Sequence, residues 1–260
     1  MSLIISIFVD EGVVMASDSR VSFVSPFMNS PLQIQTGHHF DSEEKTFICS
    51  NGVGVSACGD ASINKKSISG IIKAFINQQI QPTTTVIDTA TMLLNYLKQL
   101  NPNINAILHI CGYESINGVP TRQIYRVYTQ GKGKILPVNS QNAGAIWDGD
   151  THILSKVIKG QYISVPVPVT QQVQIIENGQ VITRNNVIVL DANTTKYFPE
   201  ISIPWDYMSL QDAINFARFA ITTTIEALKF ENVNKTVGGP IDILVVKSDG
   251  SSWIAHKELH

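Results

Sequence analysis

Pairs of short apolar strands joined by tight turns constrain the fold of this chain more than any other feature of its sequence. Asn51-Gly52 separates two apolar runs, Lys45–Ser50 and Val53–Cys58, and both turn residues tolerate the positive φ angles of a two-residue hairpin. Asp10-Glu11-Gly12 follows the first apolar run, Ser2–Val9, in the same way. Strands joined by such turns pair antiparallel, so the sequence predicts antiparallel sheets.

Three long amphipathic helices are predicted by apolar residues that recur with a helical period. The first stripe runs from Ile68 to Ile76, the second from Val86 to Leu97, and the third from Leu210 to Ile221. Spacings of three and four residues place each stripe on one face of a helix. Two pairs of residues have the spacing of helix caps: Thr85 with Asp88, and Ser209 with Asp212.

The order of these elements predicts an α+β fold. Strands come first, two helices follow, a second group of strands spans Ile104 to Gly149, and strands return after the third long helix. Two antiparallel sheets stacked face to face, with helices on both outer faces, would bury every apolar stripe. The favoured architecture is therefore a four-layer α-β-β-α sandwich of two stacked antiparallel sheets.

We expect a single domain over residues 1–260, because no linker or low-complexity tract interrupts the chain. A proline-containing segment at about 160–208 holds a predicted hairpin around Asn178-Gly179 and is interpreted as an inserted β arm. The polar stretch Val21–Ser42 is interpreted as a long loop or flap. Asp60 is expected to cap the helix that follows Gly59.

Charge and cysteine content argue against several classes of function. The net charge is −2 and no basic cluster is present, so we expect no nucleic-acid partner. No apolar run is long enough to span a bilayer, and no signal peptide begins the chain. The three cysteines, Cys49, Cys58 and Cys111, lack the spacing of a disulfide framework or a zinc site. We expect a cytoplasmic protein with buried free thiols and no metal.

The candidate catalytic residue is Ser2, directly behind the initiator methionine. A serine hydroxyl is a weak nucleophile that needs an adjacent base. If Met1 is removed, Ser2 carries both a hydroxyl and a free α-amine, which titrates near ~7.7–8.0 and is partly neutral at cellular pH. One residue could then hydrolyse an amide without metal or cofactor.

Three further residues complete the predicted catalytic set. Lys45 near the amine would disfavour a second positive charge there and so keep the amine neutral. Asp18 would hold Lys45 in place. Gly59 ends an apolar strand, and its backbone N–H could face the developing oxyanion.

These residues resemble the proteasome β-subunit family of N-terminal nucleophile (Ntn) hydrolases, which includes bacterial proteasome-like proteins. The resemblance implies the four-layer sandwich, a threonine- or serine-type peptidase activity, no cofactor, and a homo-oligomer that can form a ring. It also implies supporting roles for Arg20, Asp150 and Asn234, and a shallow substrate pocket at Ala57 and Ala61. Four segments carry it: Asp18-Ser19-Arg20, Lys45-Thr46-Phe47, Cys58-Gly59 and Gly238-Gly239-Pro240-Ile241-Asp242-Ile243.

The sequence therefore predicts an Ntn-type peptidase that cleaves peptides or unfolded polypeptides with Ser2. Two alternatives stay open at this point. The chain could be a catalytically inactive scaffold or binding subunit, because Val237 stands where active members of the family have a serine. It could also be a small-molecule amide acylase, with the Val21–Ser42 segment and the arm narrowing the pocket.

Overall fold

The computed structural model describes residues 2–25, 36–159, 162–164, 167–191, 195–197, 201–231 and 234–257. The chain divides into two compact units, one formed by Met1–Ile153 with Pro204–His260 and the other by Leu154–Ile203. The helices are α1 (Ile68–Gln79), α2 (Val86–Leu100), α3 (His152–Lys159) and α4 (Leu210–Phe230). The strands are β1 (Leu3–Val9), β2 (Gly12–Ser17), β3 (Val21–Ser25), β4 (Thr36–Phe40), β5 (Thr46–Ile48), β6 (Gly54–Gly59), β7 (Ser62–Ile63), β8 (Lys66–Ser67), β9 (Ala106–Ile116), β10 (Val119–Tyr128), β11 (Lys134–Pro137), β12 (Gly144–Gly149), β13 (Tyr162–Ser164), β14 (Val167–Glu177), β15 (Gln180–Asp191), β16 (Thr195–Tyr197), β17 (Asp242–Lys247) and β18 (Gly250–Ala255).

The first unit contains two five-stranded antiparallel sheets, which confirms the predicted α+β class. One sheet has the strand order β12-β1-β2-β17-β18 and the other has the order β11-β10-β9-β6-β5. Every residue of β1 and β2 is buried, because both faces of the first sheet are covered. The two sheets face each other through apolar side chains that come from both, including Met15, Leu244, Cys111 and Ile124.

Helices pack against both of these sheets. α1 and α2 pack Phe75, Leu93 and Leu97 against Val55 and Leu108 of the second sheet. α4 lies against β1 and β2 of the first sheet. Its buried residues include the small side chains of Ala213, Ala217 and Ala220. The predicted caps are present, since the hydroxyls of Thr85 and Ser209 accept hydrogen bonds from the backbone N–H groups of Asp88 and Asp212.

Two local predictions are wrong. The segment Val21–Ser42, predicted as a long loop or flap, is not a loop throughout, because it carries the antiparallel pair β3–β4; residues 26–35 between these strands lie outside the described residues. Asp60 does not cap a helix, because the β7–β8 hairpin intervenes and Ser67 is the N-cap of α1. The carboxylate of Asp60 instead accepts a hydrogen bond from the backbone N–H of Asn105 at 2.8 Å.

The second unit, Leu154–Ile203, is built on the long antiparallel hairpin β14–β15, with a smaller pair β13–β16. Its turn is Asn178-Gly179, as predicted, and both residues have positive φ angles. The strands extend well beyond the runs that the sequence predicts around that turn, Val173–Ile176 and Val181–Thr183. The single domain and the inserted arm stay predictions.

Candidate active site

Asp18 is a buried hub at the end of β2. Its side chain is fully buried and accepts four hydrogen bonds. Oδ1 accepts from the backbone N–H of Leu3 at 2.9 Å and from Lys45 Nζ at 2.7 Å. Oδ2 accepts from the backbone N–H groups of Arg20 and Gly238, each at 3.0 Å. Four donors, one of them cationic, offset the cost of removing a carboxylate from water.

Lys45 stands beside this hub, directly before β5. Its side chain is only 5% exposed, and Nζ donates to Asp18 and, at 2.5 Å, to the backbone carbonyl of Arg20. Burial lowers the pKa of Lys45 from its ordinary value, and the neighbouring Asp18 carboxylate opposes that shift. A second positive charge close to this ammonium is unfavourable.

A cavity of about 340 Å³ opens next to Lys45. Ser2 lines it and is only 7% exposed, and its hydroxyl has no hydrogen-bond partner among the described residues. Five of the residues predicted for the site line this cavity: Ser2, Lys45, Ala57, Gly59 and Ala61. The remaining predicted residues, Asp18, Arg20, Asp150 and Asn234, do not line it.

The peptide bond that follows Ser2 is held through both of its polar groups. Its carbonyl accepts a hydrogen bond from the backbone N–H of Asp150 at 2.7 Å, and the next N–H, of Leu3, donates to Asp18. Gly149 has a φ angle of +98°, and a Cβ there would overlap the Ser2 carbonyl oxygen. Only glycine allows the β12 strand end to approach Ser2 this closely.

Gly59 ends β6 with a φ angle of +121°, and a Cβ at this position would overlap the carbonyl oxygen of Asn105. The residue therefore has a conformational reason to be glycine that is independent of catalysis. It also presents bare backbone to the cavity.

Arg20 acts as a clamp. Its Nε and Nη2 donate to the two carboxylate oxygens of Asp41, each at 2.6 Å. These hydrogen bonds raise the pKa of Arg20 and lower the pKa of Asp41. The guanidinium also packs on the backbone of Gly238. Arg20 thereby joins the end of β2 to two other segments.

Asp150 belongs to a second polar group that sequence reasoning missed in part. Its carboxylate accepts a hydrogen bond from the hydroxyl of Thr236 and contacts His152 Nδ1 at 2.6 Å. His152 Nε2 lies 2.9 Å from a carboxylate oxygen of Glu231. The two carboxylates raise the pKa of His152. Asn234, which was predicted to support the site, is exposed. The side chain from this segment that bonds Asp150 is that of Thr236.

A third polar chain runs through the interior between the sheets. Ser6 Oγ lies 2.9 Å from His109 Nδ1, and His109 Nε2 lies 2.8 Å from Asp148 Oδ2, which also accepts from Arg126 Nε at 2.6 Å. The order resembles a Ser-His-Asp triad, but Ser6 and His109 are completely buried, so no substrate reaches them. Asp148 directly precedes Gly149 and Asp150. The hydrogen bonds of Asp148 to His109 and Arg126 therefore help to hold the end of β12, which contacts Ser2.

Neither a cysteine nucleophile nor a metal-binding group is indicated by the described residues. Burial raises the pKa of Cys49, Cys58 and Cys111 to about 12, which removes the thiolate that a nucleophile requires. Across the described parts of the chain, no three His, Cys, Asp or Glu side chains form a group that could hold a metal ion. None of the helices described combines the length and apolarity that crossing a membrane requires.

Two solved structures share the fold of this chain. Anbu (ancestral beta-subunit) from Yersinia bercovieri is 14% identical, with a TM-score of 0.53 over 98% of this chain and 88% of that one. An Anbu (Gly-1) mutant from Hyphomicrobium sp. strain MC1 is 12% identical, with a TM-score of 0.54 over 98% of this chain and 87% of that one. No family model matches the chain, and no curated protein is similar to it.

The sequence-based assignment to the proteasome β-subunit family is therefore wrong. It relied on four short motifs, and no family model recognises the chain. The similar structures are ancestral beta-subunit proteins at 14% and 12% identity. Likeness at that level establishes a shared fold alone.

Proposed function

We propose that this protein is an amidohydrolase that uses Ser2, freed of Met1, as its nucleophile and the α-amine of Ser2 as its base. The observation that carries the proposal is Ser2 itself, a nearly buried serine whose hydroxyl has no partner among the described residues. It lines the same cavity as Lys45, which is paired with a fully buried carboxylate. Burying such an ion pair is costly, and a catalytic use gives it a reason to persist.

The proposed reaction proceeds in two halves. The neutral amine takes the proton of the Ser2 hydroxyl, and the oxygen attacks the carbonyl carbon of the amide. The amine then returns the proton to the departing nitrogen, which leaves an ester on Ser2. A water molecule activated by the same amine hydrolyses that ester and restores the enzyme.

Lys45 and Gly59 have separate roles in this scheme. The ammonium of Lys45 favours the uncharged form of the amine and stabilises negative charge on the Ser2 oxygen. Asp18 fixes Lys45 through their hydrogen bond. The backbone N–H of Gly59 is proposed as a donor to the oxyanion, supported by its position in the cavity wall.

We also propose that the helices and sheets of the first unit form four layers in the order α-β-β-α. The packing of α1 and α2 on the second sheet and of α4 on the first supports this order. The names of the similar structures, which call them beta-subunits, support a homo-oligomer. The buried free cysteines support a reducing compartment such as the cytoplasm.

A second candidate function is a non-catalytic binding subunit. Val237 is buried, Asn234 is exposed, and neither offers a hydroxyl to the Asp150 group. If this function holds, replacing Ser2 changes no measurable activity.

Intact mass and covalent labelling separate the two functions. We expect cell-derived protein to lack Met1 and to react with a hydroxyl-directed covalent probe at Ser2. Ser2→Ala should abolish labelling and turnover of short peptide amides and acyl amides. Ser22→Ala is the matched control, because Ser22 also lines the cavity and its hydroxyl bonds the backbone carbonyl of Lys235. Retention of Met1 in active protein, or undiminished turnover in Ser2→Ala, would overturn the mechanism.

A further inference from the structure

The cavity beside Ser2 has acidic walls. Three carboxylate side chains line it, those of Glu43, Glu44 and Asp60. Among the described lining residues Lys45 is the sole cation, and its charge is matched by Asp18 at 2.7 Å. The electrostatic potential inside the cavity is therefore set by carboxylates that Lys45 does not neutralise.

These carboxylates differ in their hydrogen-bond and ion-pair partners. Glu44 is ion-paired with Lys73, whose Nζ lies 2.8 Å from Oε1. Glu43 accepts one long hydrogen bond, from the backbone N–H of Ser69 at 3.3 Å, and Asp60 accepts one from Asn105. Within the described residues neither Glu43 nor Asp60 has a cationic partner, so each retains an oxygen and its charge for a ligand.

The other walls suit an apolar stem. Val21, Ala57 and Ile68 contribute aliphatic surface, and the small side chains of Ala57 and Ala61 leave the space open. Lysine and arginine side chains combine an aliphatic stem with a cationic head, and they bury the stem while keeping the head near polar groups. A cavity of about 340 Å³ is within the range of small-ligand pockets.

Ser2 places the proposed nucleophile in the same cavity. Its hydroxyl is the polar group of a nearly buried side chain, lines this cavity, and lacks a hydrogen-bond partner in the described residues. A carbonyl attacked by that hydroxyl would bring the group attached on its acyl side into the same cavity. The acidic walls would then contact that group directly.

We propose that this cavity selects substrates with a cationic side chain, a guanidinium or a primary ammonium, on the acyl side of the scissile amide. Glu43 is the principal counter-charge and Asp60 the second. The inference rests on the proposed function of Ser2 and adds the class of substrate. A metal ion is a poorer occupant, because the carboxylates form no metal-holding group in the described residues.

The first test compares kcat/KM for acyl-arginine, acyl-norleucine and acyl-glutamate amides that are otherwise identical. We expect the arginine substrate to be preferred over norleucine by roughly 10- to 100-fold, the range of a hydrogen bond to a charged partner. Glu43→Gln should remove most of that preference and Asp60→Asn part of it. Glu226→Gln is the matched control, because Glu226 is exposed on α4 and pairs only with Lys229 in the described contacts. An active enzyme that treats arginine and norleucine alike would overturn the inference and leave the function of Ser2 standing.

The second test does not require turnover. Calorimetry on the Ser2→Ala protein measures binding of N-acetyl-arginine amide and N-acetyl-norleucine amide. Tighter binding of the arginine compound, lost in Ser2→Ala/Glu43→Gln and kept in Ser2→Ala/Glu226→Gln, supports the inference even if the wild-type chain proves inactive. Equal binding of the two compounds contradicts it. The two assays therefore distinguish a wrong substrate class from a wrong catalytic function.

Discussion

Asp18 is the residue on which the geometry of the site depends most. It receives hydrogen bonds from Leu3, Arg20, Lys45 and Gly238, which come from four separate segments. The same oxygen atom that holds the ammonium of Lys45 also holds the backbone N–H beside Ser2. One carboxylate therefore orients both the proposed nucleophile and the cation next to it.

Asp18→Asn should be severely destabilising. The amide would direct N–H groups at backbone donors and leave the buried ammonium of Lys45 without a counter-charge, which costs about 3–5 kcal/mol. The free energy of unfolding, measured by urea denaturation, checks this loss. Asp249→Asn removes an exposed carboxylate in the β17–β18 turn and should change stability little. An unchanged midpoint in Asp18→Asn would contradict the assignment of Asp18 as the hub.

The stability contribution of His152 should depend on pH in a defined direction. The carboxylates of Asp150 and Glu231 raise the pKa of His152, so the folded state binds the proton more tightly than the unfolded state. Its contribution is fully present below the unfolded value of about 6.5 and is lost as pH rises through the folded pKa. Melting temperatures of wild type and His152→Gln should therefore differ most in acid and converge in alkali. A difference that grows with rising pH would contradict this ion pairing.

The residues of the site differ in how far sequence alone predicts them. Asp18 and Lys45 are predicted because each lies in a short local motif beside an apolar strand. Thr236 and Glu231 are not, because their contacts to Asp150 and His152 span 86 and 79 residues. A local sequence pattern cannot indicate a contact between residues so far apart in the chain, because only the folded structure brings them together.

At the scale of elements, the end of β12 fixes the proposed nucleophile. The strand pairs with β1 so that Leu3 lies opposite Gly149, and the next N–H, of Asp150, reaches the Ser2 carbonyl. The close approach requires a residue without a side chain. Strand pairing, together with the Asp18 carboxylate, thus sets the position of Ser2.

Gly149→Ala and Gly118→Ala form a matched pair that tests this role. Both glycines have positive φ, at +98° and +80°, but a Cβ at Gly118 meets nothing within 4 Å. Gly118→Ala should therefore cost only the backbone strain, about 1–2 kcal/mol. Gly149→Ala should cost more, because it must also displace Ser2, and it should abolish probe labelling. Denaturation midpoints and labelling rates measure both effects, and equal behaviour of the two variants would contradict the proposed role of β12.

Element boundaries were predictable where turn and cap chemistry was conventional. The caps at Thr85 and Ser209 follow directly from residue type. The hairpin at Asn51-Gly52 was predicted only in part, because Gly52 has a positive φ angle of 79° and Asn51 does not. The β7–β8 hairpin does not follow from residue type, because its turn places Lys65 at a φ angle of +66°, a conformation that lysine rarely adopts. The start of α1 was therefore predicted without the hairpin that precedes it.

For the whole molecule, the exposed side chains of the first unit allow a test of its assembly into oligomers. Large side chains on and beside α4 are solvent-exposed, Tyr207 and Phe230 at 90% and Phe219 at 48%. Exposed aromatic residues of this kind are typical of protein interfaces. The homo-oligomer proposed above would cover these side chains with a second copy of the chain.

Sedimentation of the wild-type chain should show an oligomer that weakens when this face is made polar. Tyr207→Ser with Phe219→Ser removes two exposed rings and should shift the equilibrium toward monomer without lowering the melting temperature of the monomer. Ile254→Ser, on β18, is the control for loss of an exposed apolar side chain, since Ile254 is as exposed as Phe219, at 48%. A wild-type chain that sediments as a monomer at all concentrations would contradict the proposed assembly.

The α+β class was predictable and the family was not, for related reasons. Tight turns and apolar periodicities are satisfied by many sequences, so they predict the α+β architecture that is also seen at 14% identity. Family membership depends on particular residues over long stretches, and four short motifs do not supply them. Patterning therefore carries information about architecture after detailed sequence similarity has been lost.

The double anchoring of Ser2 has a consequence for how each reaction cycle begins. Because Asp18 and Asp150 already hold the N–H and the C=O of the peptide group that follows that serine, little configurational freedom of this group remains to be lost when an amide arrives. The ordering is accomplished once, as the polypeptide folds, rather than at every encounter. Catalytic competence should consequently disappear together with the native sheet under denaturant, and not in an earlier, separate transition.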